Sequence, residues 1–256
     1  MKRIERLQQI RRSLGSGGVS IGSWIQLPSA SVAEIMGQAG YDWIAVDLEH
    51  GAISLHQLPD LFRALELGGT LPMARLSEGS PTACKQALDA GAGGVIVPMV
   101  ESAEQLAGTV AACRWPPAGI RGVGFSRANL FGRRFEAYSA EAQAPLLVAM
   151  IEHSRAVERI DEILQVDGLD AILIGPYDLS ASLGLTGQFD APEFVTTMDR
   201  IRVQCAARSV PCGVHVVQPE PVMLKLRLQE GYRFLAYAID SVFLTKSSGN
   251  PLSPAD

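Results

Sequence analysis

The chain has 256 residues, of which 47% are hydrophobic and 19% are charged, and its formal net charge is −5 at pH 7. This composition is that of a folded globular protein, and the acidic balance excludes the broad basic surface of nucleic-acid-binding proteins. No apolar run approaches the roughly 18 residues of a membrane-spanning helix, and the four cysteines form no C-x-x-C pair. We therefore expect a cytoplasmic enzyme with neither a nucleic-acid nor a membrane partner.

The first 18 residues predict a short amphipathic helix. Ile4, Leu7, Ile10 and Leu14 recur at helical spacing, and basic side chains lie between them. The segment lacks the apolar core of a signal peptide. We therefore expect residues 1–18 to form a helix that packs against the rest of the chain.

Beyond this helix, short apolar segments typical of strands alternate with longer segments of helical periodicity. Eight segments have the strand pattern: Val19–Ile25, Trp43–Asp47, Leu71–Arg75, Gly94–Pro98, Leu146–Ile151, Ala171–Ile174, Gly213–Val217 and Phe234–Ile239. Helices are predicted over Ser31–Ala39, Leu55–Leu67, Pro81–Ala90, Ala103–Cys113, Arg155–Gln165, Glu193–Ala207 and Pro219–Gln229. Strict alternation predicts a parallel sheet, and eight repeats favour a closed (β/α)₈ TIM barrel over an open sheet. We predict that residues 1–256 form one α/β barrel domain.

Two segments depart from this alternation. The segment 115–145 is long, polar and rich in glycine and arginine, and a connection of this length in a compact domain is usually functional. We predict that it is a loop on the side of the active site. The tail 245–256 contains Gly249 and two prolines, so we expect a truncated C-terminal end instead of a full eighth helix.

Acidic side chains follow two consecutive strands, at the end of a barrel where reactive groups gather. Glu152 follows the fifth predicted strand and Asp178 follows the sixth. Both carboxylates can reach one hard divalent cation, such as Mg²⁺ or Mn²⁺. An N-cap is an equally good interpretation of Asp178 from its position alone, so the two alternatives stay open for this residue.

His50 and Arg75 are further candidates. His50 comes three residues after Asp47 in a loop after a strand, and a carboxylate can orient an imidazole as a general base. A hydrogen-bonded loop histidine is the alternative, and the remaining histidines, among them His215, have weaker claims. Arg75 ends an apolar strand and needs an anion there, either a structural carboxylate or a developing enolate. None of the four lysines follows a strand, so a Schiff-base mechanism is disfavoured.

Several motifs between Ile21 and Leu244 have an order and a spacing that are jointly specific. They are Gly22–Trp24, Ala39–Trp43, Asp47–His50, Arg75, Lys85–Gly91, Val97–Val100, Pro116–Gly124, Ile151–Glu152, Val166–Asp170 and Ile174–Ser180. With these motifs the chain resembles the HpcH/HpaI aldolases, which are metal-dependent class II pyruvate aldolases built on a (β/α)₈ barrel. The resemblance covers nearly the whole chain.

The resemblance implies a cofactor and a set of substrate contacts. Glu152 and Asp178 would hold a divalent cation, either Mg²⁺ or Mn²⁺ or else Co²⁺. Arg75 would bind the keto or enolate oxygen of a 2-oxo acid, and the backbone amides of Tyr177 and Asp178 would bind its carboxylate. Trp24, which belongs to a matching motif, is expected to contact the substrate.

The resemblance also implies the reaction, a reversible cleavage of a carbon–carbon bond between pyruvate and an aldehyde. His50, paired with Asp47, would serve as the acid–base. The chain departs from the family pattern at Met150, His153 and Tyr177, which leaves the acceptor aldehyde open. The alternatives are a condensing enzyme that uses another 2-oxo acid, such as oxaloacetate, and a catalytically idle barrel that serves in binding. We expect a homo-oligomer that acts on small molecules.

Overall fold

Eight parallel strands form the centre of the computed structural model, which describes residues 3–250. They are β1 (Ser20–Ile25), β2 (Trp43–Asp47), β3 (Leu71–Arg75), β4 (Gly94–Val97), β5 (Leu146–Ile151), β6 (Ala171–Ile174), β7 (Cys212–Val216) and β8 (Phe234–Ile239). The strands pair in sequence order, and β8 pairs with β1 to close a barrel. The predicted (β/α)₈ barrel is confirmed, and each predicted strand agrees with the structure to within one residue at either end.

Helices surround this barrel and connect its strands. They are α1 (Arg3–Gly15), α2 (Ala30–Gly37), α3 (Leu58–Leu67), α4 (Pro81–Ala90), α5 (Ala103–Cys113), α6 (Phe135–Ala142), α7 (Ser154–Glu158), α8 (Ile160–Ile163), α9 (Pro176–Ser182), α10 (Pro192–Arg208), α11 (Pro221–Gln229) and α12 (Asp240–Ser247). Short 3₁₀ turns cover Leu55–Gln57 and Arg127–Asn129. Among residues 3–250, no helix is long and apolar enough to cross a bilayer.

The helix boundaries differ from the predictions at a few places. The helix predicted from Leu55 begins at Leu58, because Pro59 in its first turn suits a helix start and the residues before it form a 3₁₀ turn. The helix predicted over Arg155–Gln165 is divided into α7 and α8. The short α6, α9 and α12 were not predicted as helices. The helix α12 has eight residues, and residues 251–256 of the tail, for which a truncated end was expected, lie outside the described residues.

The N-terminal helix α1 closes one end of the barrel. Its buried side chains Leu7, Ile10 and Leu14 belong to the same apolar cluster as the first residues of several strands, such as Leu146. Arg11 donates two hydrogen bonds to the carboxylate of Asp170, at 2.6 and 2.8 Å, which holds the helix beneath β6. The amino-terminal end of the barrel is therefore sealed.

The segment 115–145 lies at this same end, so the prediction that it lies on the active-site side is wrong. It connects α5 to β5, and a connection from a helix to the next parallel strand joins them beside the amino ends of the strands. It includes α6 and packs on α1, where Arg3 donates to the carbonyl oxygen of Ala128 at 2.9 Å and forms an ion pair with Glu141.

Aromatic side chains fill the barrel interior and depend on a glycine beside them. The rings of Trp43 and Phe234 stack with centroids 4.5 Å apart and an interplanar angle of 3°. Gly22 of β1 faces them, and a Cβ at this position would lie 2.1 Å from a Trp43 ring atom. The close approach of β1 to the stacked rings thus requires glycine.

We expect Gly22→Ala to lower the free energy of unfolding by roughly 1–3 kcal/mol, because the added methyl group overpacks the interior. The matched control is Gly108→Ala, on the exposed face of α5, where a Cβ would meet no atom within 4 Å. The control should gain about 0.5–1 kcal/mol, since alanine favours helix over glycine. Urea unfolding followed by circular dichroism measures both, and equal midpoints would contradict this packing.

Candidate active site

A cavity of about 310 Å³ opens at the carboxyl ends of the strands, opposite the end that α1 seals. Every site residue predicted from the sequence lines it: Trp24, Asp47, His50, Arg75, Glu152, Tyr177 and Asp178. Its other lining residues are Gln26, Met150, Gly175, Pro176, His215, Val217 and Ile239. Residues from seven of the eight strands, or from the loops that follow them, therefore meet around one space.

Arg75 and Asp47 form the ion pair at the base of this cavity. They are register partners at the ends of β3 and β2, and Arg75 donates from Nε and Nη2 to the two oxygens of Asp47, at 2.9 and 2.6 Å. Glu49 forms a second ion pair with Arg75 at 2.9 Å, and the ring of Trp24 lies 4.9 Å from the guanidinium carbon. The cationic fork is thus fixed in a single orientation.

The carboxylate of Asp47 is buried, with 1% of its side chain exposed. Burial raises the pKa of Asp47, but the hydrogen bonds and charge of Arg75 outweigh it, so that the pKa lies below its usual value. Asp47 also accepts from the side chain of Gln26 at 2.9 Å and from the backbone N–H groups of Glu49 and His50 at 3.0 and 3.1 Å. Asp47 is therefore a buried anion whose hydrogen bonds hold Arg75, Gln26 and the backbone of the loop after β2.

The predicted pairing of Asp47 with the imidazole of His50 is wrong. Asp47 binds the backbone N–H of His50, and its oxygens are occupied by Arg75 and Gln26, which leaves the His50 side chain exposed at the rim of the cavity. Adjacent strands bring Arg75 against Asp47 more directly than a loop can bring the imidazole. Asp47 positions Arg75 and the loop after β2, while His50 borders the cavity independently.

Glu152 is an unusually isolated carboxylate. Only 3% of the residue is exposed, and among residues 3–250 its carboxylate accepts one hydrogen bond, from the backbone N–H of Met99 at 2.9 Å. Met99 has a left-handed backbone with φ of 49°, rare for a residue other than glycine. Burial, opposed by the Met99 hydrogen bond and reinforced by the negative charges of Glu49 and Asp178, raises the pKa of Glu152 to about 7.

Gly175 is the residue after β6, and because it has no side chain the Glu152 carboxylate can lie directly beside it. A Cβ at Gly175 would lie 2.6 Å from Oε1 of Glu152. Gly175 is also the N-cap of α9, and Asp178 is in the first turn of that helix, so the N-cap interpretation of Asp178 is wrong. The exposed side chain of Asp178 and the buried one of Glu152 line the same cavity.

Tyr177 and the first turn of α9 form one rim of the cavity. The phenol ring of Tyr177 is half exposed and packs edge-on against Phe189, with centroids 5.0 Å apart. Because a first helical turn has no intrahelical acceptors, the backbone N–H groups of Tyr177 and Asp178 are available to a ligand.

Two residues that contribute to this site were not predicted from the sequence. Gln26, the first residue after β1, holds Asp47 through its side chain, and its backbone N–H donates to the buried Asp240 at 2.9 Å. Glu49 pairs with Arg75 and contributes negative charge near Glu152. Gln26 could have been found from its position directly after a strand, and Glu49 from its place between Asp47 and His50.

A closed (β/α)₈ barrel with an oriented arginine, two acidic side chains and a histidine around one cavity defines a barrel enzyme with its active site at the strand ends. The model of the HpcH/HpaI aldolase/citrate lyase family matches residues 20–247. The chain belongs to this family.

Characterised relatives align along nearly the whole chain. A hydroxypyruvate/pyruvate aldolase from Roseobacter denitrificans is 38% identical, with 93% of each chain covered. A 4-hydroxy-2-oxovalerate aldolase from Novosphingobium aromaticivorans is also 38% identical, with 96% of this chain and 94% of the relative covered. The predicted family and the predicted class, a carbon–carbon lyase of the aldolase type, are confirmed.

Solved structures agree with this assignment. An HpcH/HpaI aldolase/citrate lyase family protein from Burkholderia cenocepacia has a TM-score of 0.88 at 30% identity, with 94% of this chain and 96% of that chain covered. A citrate synthase has a TM-score of 0.80 at 27% identity, with 93% of each chain covered. A citrate lyase β subunit from M. tuberculosis, solved with oxaloacetate and magnesium, shares the fold with a TM-score of 0.57 at 16% identity, covering 91% of this chain and 95% of that chain.

We expect Asp47→Ala to lower the free energy of unfolding by roughly 3–5 kcal/mol, because it leaves the buried charge of Arg75 without its bidentate partner. Glu101→Ala is the matched control, since Arg155 donates to both of its oxygens at 2.6 and 2.8 Å in the same two-bond geometry on the surface. Solvent screens the surface pair, so this control should unfold close to wild type. Chemical denaturation measures both variants, and a similar loss in the two would refute a special role for the Asp47–Arg75 pair.

Proposed function

We propose that this protein is a metal-dependent class II aldolase that reversibly cleaves a carbon–carbon bond between pyruvate, or a closely related 2-oxo acid, and an aldehyde. The observation that carries the proposal is the convergence of Arg75, Glu152 and Asp178 on one cavity at the strand ends. This arrangement offers positive charge where an enolate oxygen develops and hard oxygen ligands beside it. The small-molecule substrates of the named relatives agree with it.

The residues present fit a divalent cation held by Glu152 and Asp178. Glu152 is buried, accepts a single hydrogen bond within the described part of the chain and has a raised pKa, so its charged form lacks compensation that a cation would supply. Gly175 keeps the space beside its Oε1 free of any side chain. Two carboxylates suit Mg²⁺, Mn²⁺ or Co²⁺, because such ions keep water and substrate oxygens as further ligands. A bound cation would act as a Lewis acid that stabilises the enolate.

Arg75 is proposed to bind the keto oxygen of the 2-oxo acid and to stabilise that oxygen as it becomes negative. Its Nε and Nη2 groups are held by Asp47, and a guanidinium carries further N–H groups that these bonds leave available. Because Asp47 and Trp24 fix the guanidinium before substrate binds, little reorganisation is needed during reaction. The carboxylate of the substrate is proposed to bind the free backbone N–H groups of Tyr177 and Asp178.

His50 is proposed to move the proton. In the cleavage direction it would accept the proton of the substrate hydroxyl, while the electron pair of the breaking carbon–carbon bond passes to the oxygen bound by Arg75. Its exposed position at the rim suits contact with the aldehyde half of the substrate. Asp47 would contribute by holding the backbone of the loop that carries His50.

The lysines support metal catalysis over an imine mechanism. Among the described residues, no lysine lines the cavity, and the described lysines lie in α4, α11 and α12. An imine requires an amine within reach of the substrate carbonyl.

The proposal predicts that a chelator abolishes the aldolase reaction, that divalent cations restore it, and that borohydride added with pyruvate leaves activity intact. Glu152→Gln and Asp178→Asn should each behave like the chelated enzyme, since a neutral amide is a poor ligand for a hard cation. Gly175→Ala should weaken Mn²⁺ binding in a calorimetric titration by displacing the Glu152 carboxylate, while Gly122→Ala, whose Cβ would meet no atom within 4 Å, should not. Full activity after exhaustive chelation, or a borohydride-trapped pyruvyl lysine, would overturn the metal mechanism.

We expect Arg75→Lys to slow deuterium exchange into the pyruvate methyl group by roughly 10²–10³-fold, because lysine keeps the charge but loses the fork that Asp47 orients. His50→Ala should slow retro-aldol cleavage by roughly 10²–10⁴-fold with little change in cation or pyruvate affinity. Nuclear magnetic resonance follows the exchange, and calorimetry measures the affinities. Wild-type exchange in Arg75→Lys, or loss of the cation from His50→Ala, would count against the assigned roles.

A condensing enzyme that uses oxaloacetate is the second candidate, favoured by the structural likeness to a citrate synthase at 27% identity. The same charged groups would serve an enolate of either acid. Mass spectrometry of products formed from pyruvate or oxaloacetate with a panel of carbonyl acceptors separates the two reactions. A catalytically idle barrel is disfavoured, because His50, Arg75, Glu152 and Asp178 all line the cavity.

The expected homo-oligomer is also a proposal. The segment 115–145 exposes a group of large apolar side chains, with Ile120, Val123 and Phe125 exposed by 72%, 54% and 75%. Exposed apolar side chains grouped in one segment support the proposal, because contiguous apolar surface is typical of protein–protein contacts.

A further inference from the structure

His215 lies in the wall of the cavity, and the proposed reaction does not use it. The strand pairing places it close to the proposed metal ligands. Ile151 pairs with Ile174, and Ile174 pairs with Val214, so that the next residues, Glu152, Gly175 and His215, lie at one level of the barrel. Gly175, which lies between the other two at this level, has no side chain, and both Glu152 and His215 line the cavity.

The ring of His215 is held in one orientation. Its Nε2 lies 3.3 Å from the carbonyl oxygen of Ala238, and a carbonyl only accepts, so Nε2 carries the hydrogen and Nδ1 carries the lone pair. The ring of Trp24 packs on it with centroids 5.4 Å apart. The imidazole thus presents a hydrogen-bond acceptor of known position.

The backbone that holds this imidazole is irregular. Between β1 and β8 the pairing passes from Gly22–Ala236 to Trp24–Ile239, so β8 contains one extra residue, a β-bulge. Ala238 lies in this bulge with a left-handed φ of 54° and is fully buried. A non-glycine residue in this conformation is costly, and such strain clusters at functional sites. Here its carbonyl oxygen anchors His215.

Nδ1 of His215 is free to receive a ligand. Among residues 3–250 it has no hydrogen-bond partner. The atom is also not completely enclosed by protein, so a ligand can reach it. Burial lowers the pKa of His215 to about 4, with the charge of Arg75 adding to the effect. The imidazole is therefore neutral near pH 7, and its Nδ1 accepts hydrogen bonds without donating them.

We propose that Nδ1 of His215 accepts a hydrogen bond from an aliphatic hydroxyl on the carbon next to the reacting carbonyl, and so selects hydroxylated substrates over their deoxy analogues. The proposal rests on the proposed aldolase function and assigns a substrate class to the same site. The hydroxyl comes either from the 2-oxo acid, as in hydroxypyruvate, or from the aldehyde, as in glycolaldehyde. An acceptor in the cavity wall that binds such a hydroxyl loses this hydrogen bond with the deoxy analogue, which is the source of the discrimination.

The experiment compares kcat/KM for hydroxylated and deoxy substrates in two arms, with Mg²⁺ present throughout. One arm pairs hydroxypyruvate or pyruvate with acetaldehyde, and the other pairs glycolaldehyde or acetaldehyde with pyruvate. The variants are His215→Leu, which removes the acceptor, and His215→Asn, whose amide oxygen replaces Nδ1. Val216→Ala is the control, because Val216 is the next residue of β7 and, by strand alternation, points to the opposite face of the sheet.

We expect that His215→Leu lowers the ratio of kcat/KM for the hydroxylated substrate to kcat/KM for its deoxy analogue by roughly five- to tenfold. This fall should occur in only one arm, the one that varies the substrate whose hydroxyl binds Nδ1. His215→Asn should restore most of that ratio, and Val216→Ala should keep the wild-type ratio. A merely structural role would lower both rates together and leave the ratio unchanged. An unchanged ratio in both arms for His215→Leu, or an equal fall in the control, would overturn the proposal.

The failure of the proposed function is a separate outcome. If no substrate pair is turned over by the wild-type protein, the aldolase proposal fails. The inference about His215 is then decided by calorimetric titration of hydroxypyruvate against pyruvate, and of glycolaldehyde against acetaldehyde, into wild type and His215→Leu. Tighter binding of a hydroxylated compound that is lost in the variant supports the hydroxyl contact, and equal affinities within both pairs in both proteins refute it.

Discussion

The salt bridge between Asp47 and Arg75 is the interaction on which the candidate site depends. Two side chains at the ends of neighbouring strands neutralise one another inside the barrel, and a buried charge is tolerated only with such a partner. The same carboxylate holds the side chain of Gln26 and the backbone of the loop that carries His50. One anion thus connects three elements that border the cavity.

The charges around this pair are unbalanced. Asp47 and Glu49 offset Arg75, while Glu152 and Asp178 remain as further acids near the same space. Burial raises the pKa of Glu152, and the negative charges of Glu49 and Asp178 add to the effect. Such a surplus of negative charge favours a cation, which agrees with the proposed reaction in which a metal and a 2-oxo acid act together.

Much of the fold could be predicted from the sequence because buried parallel strands are nearly continuous apolar segments. The position of the site followed from the rule that barrel enzymes place reactive groups after their strands, which identified Glu152 and Asp178. The partner of Asp47 could not be obtained in this way. Spacing along the chain favoured His50, whereas the lateral register between β2 and β3 brings Arg75 to Asp47. Register is a tertiary property that local patterns do not contain.

The sealed amino-terminal end of the barrel has a kinetic consequence. Because α1 fills that end, reactants reach the cavity through its open mouth alone. Glu152 and Arg75 are buried below the mouth, whereas His50 and Tyr177 are exposed at its rim. In the proposed reaction, a 2-oxo acid bound at the buried charges would lie beneath the aldehyde. We therefore expect ordered binding and release, in which the acid binds first, the aldehyde leaves first, and the lower product remains until the upper one has left.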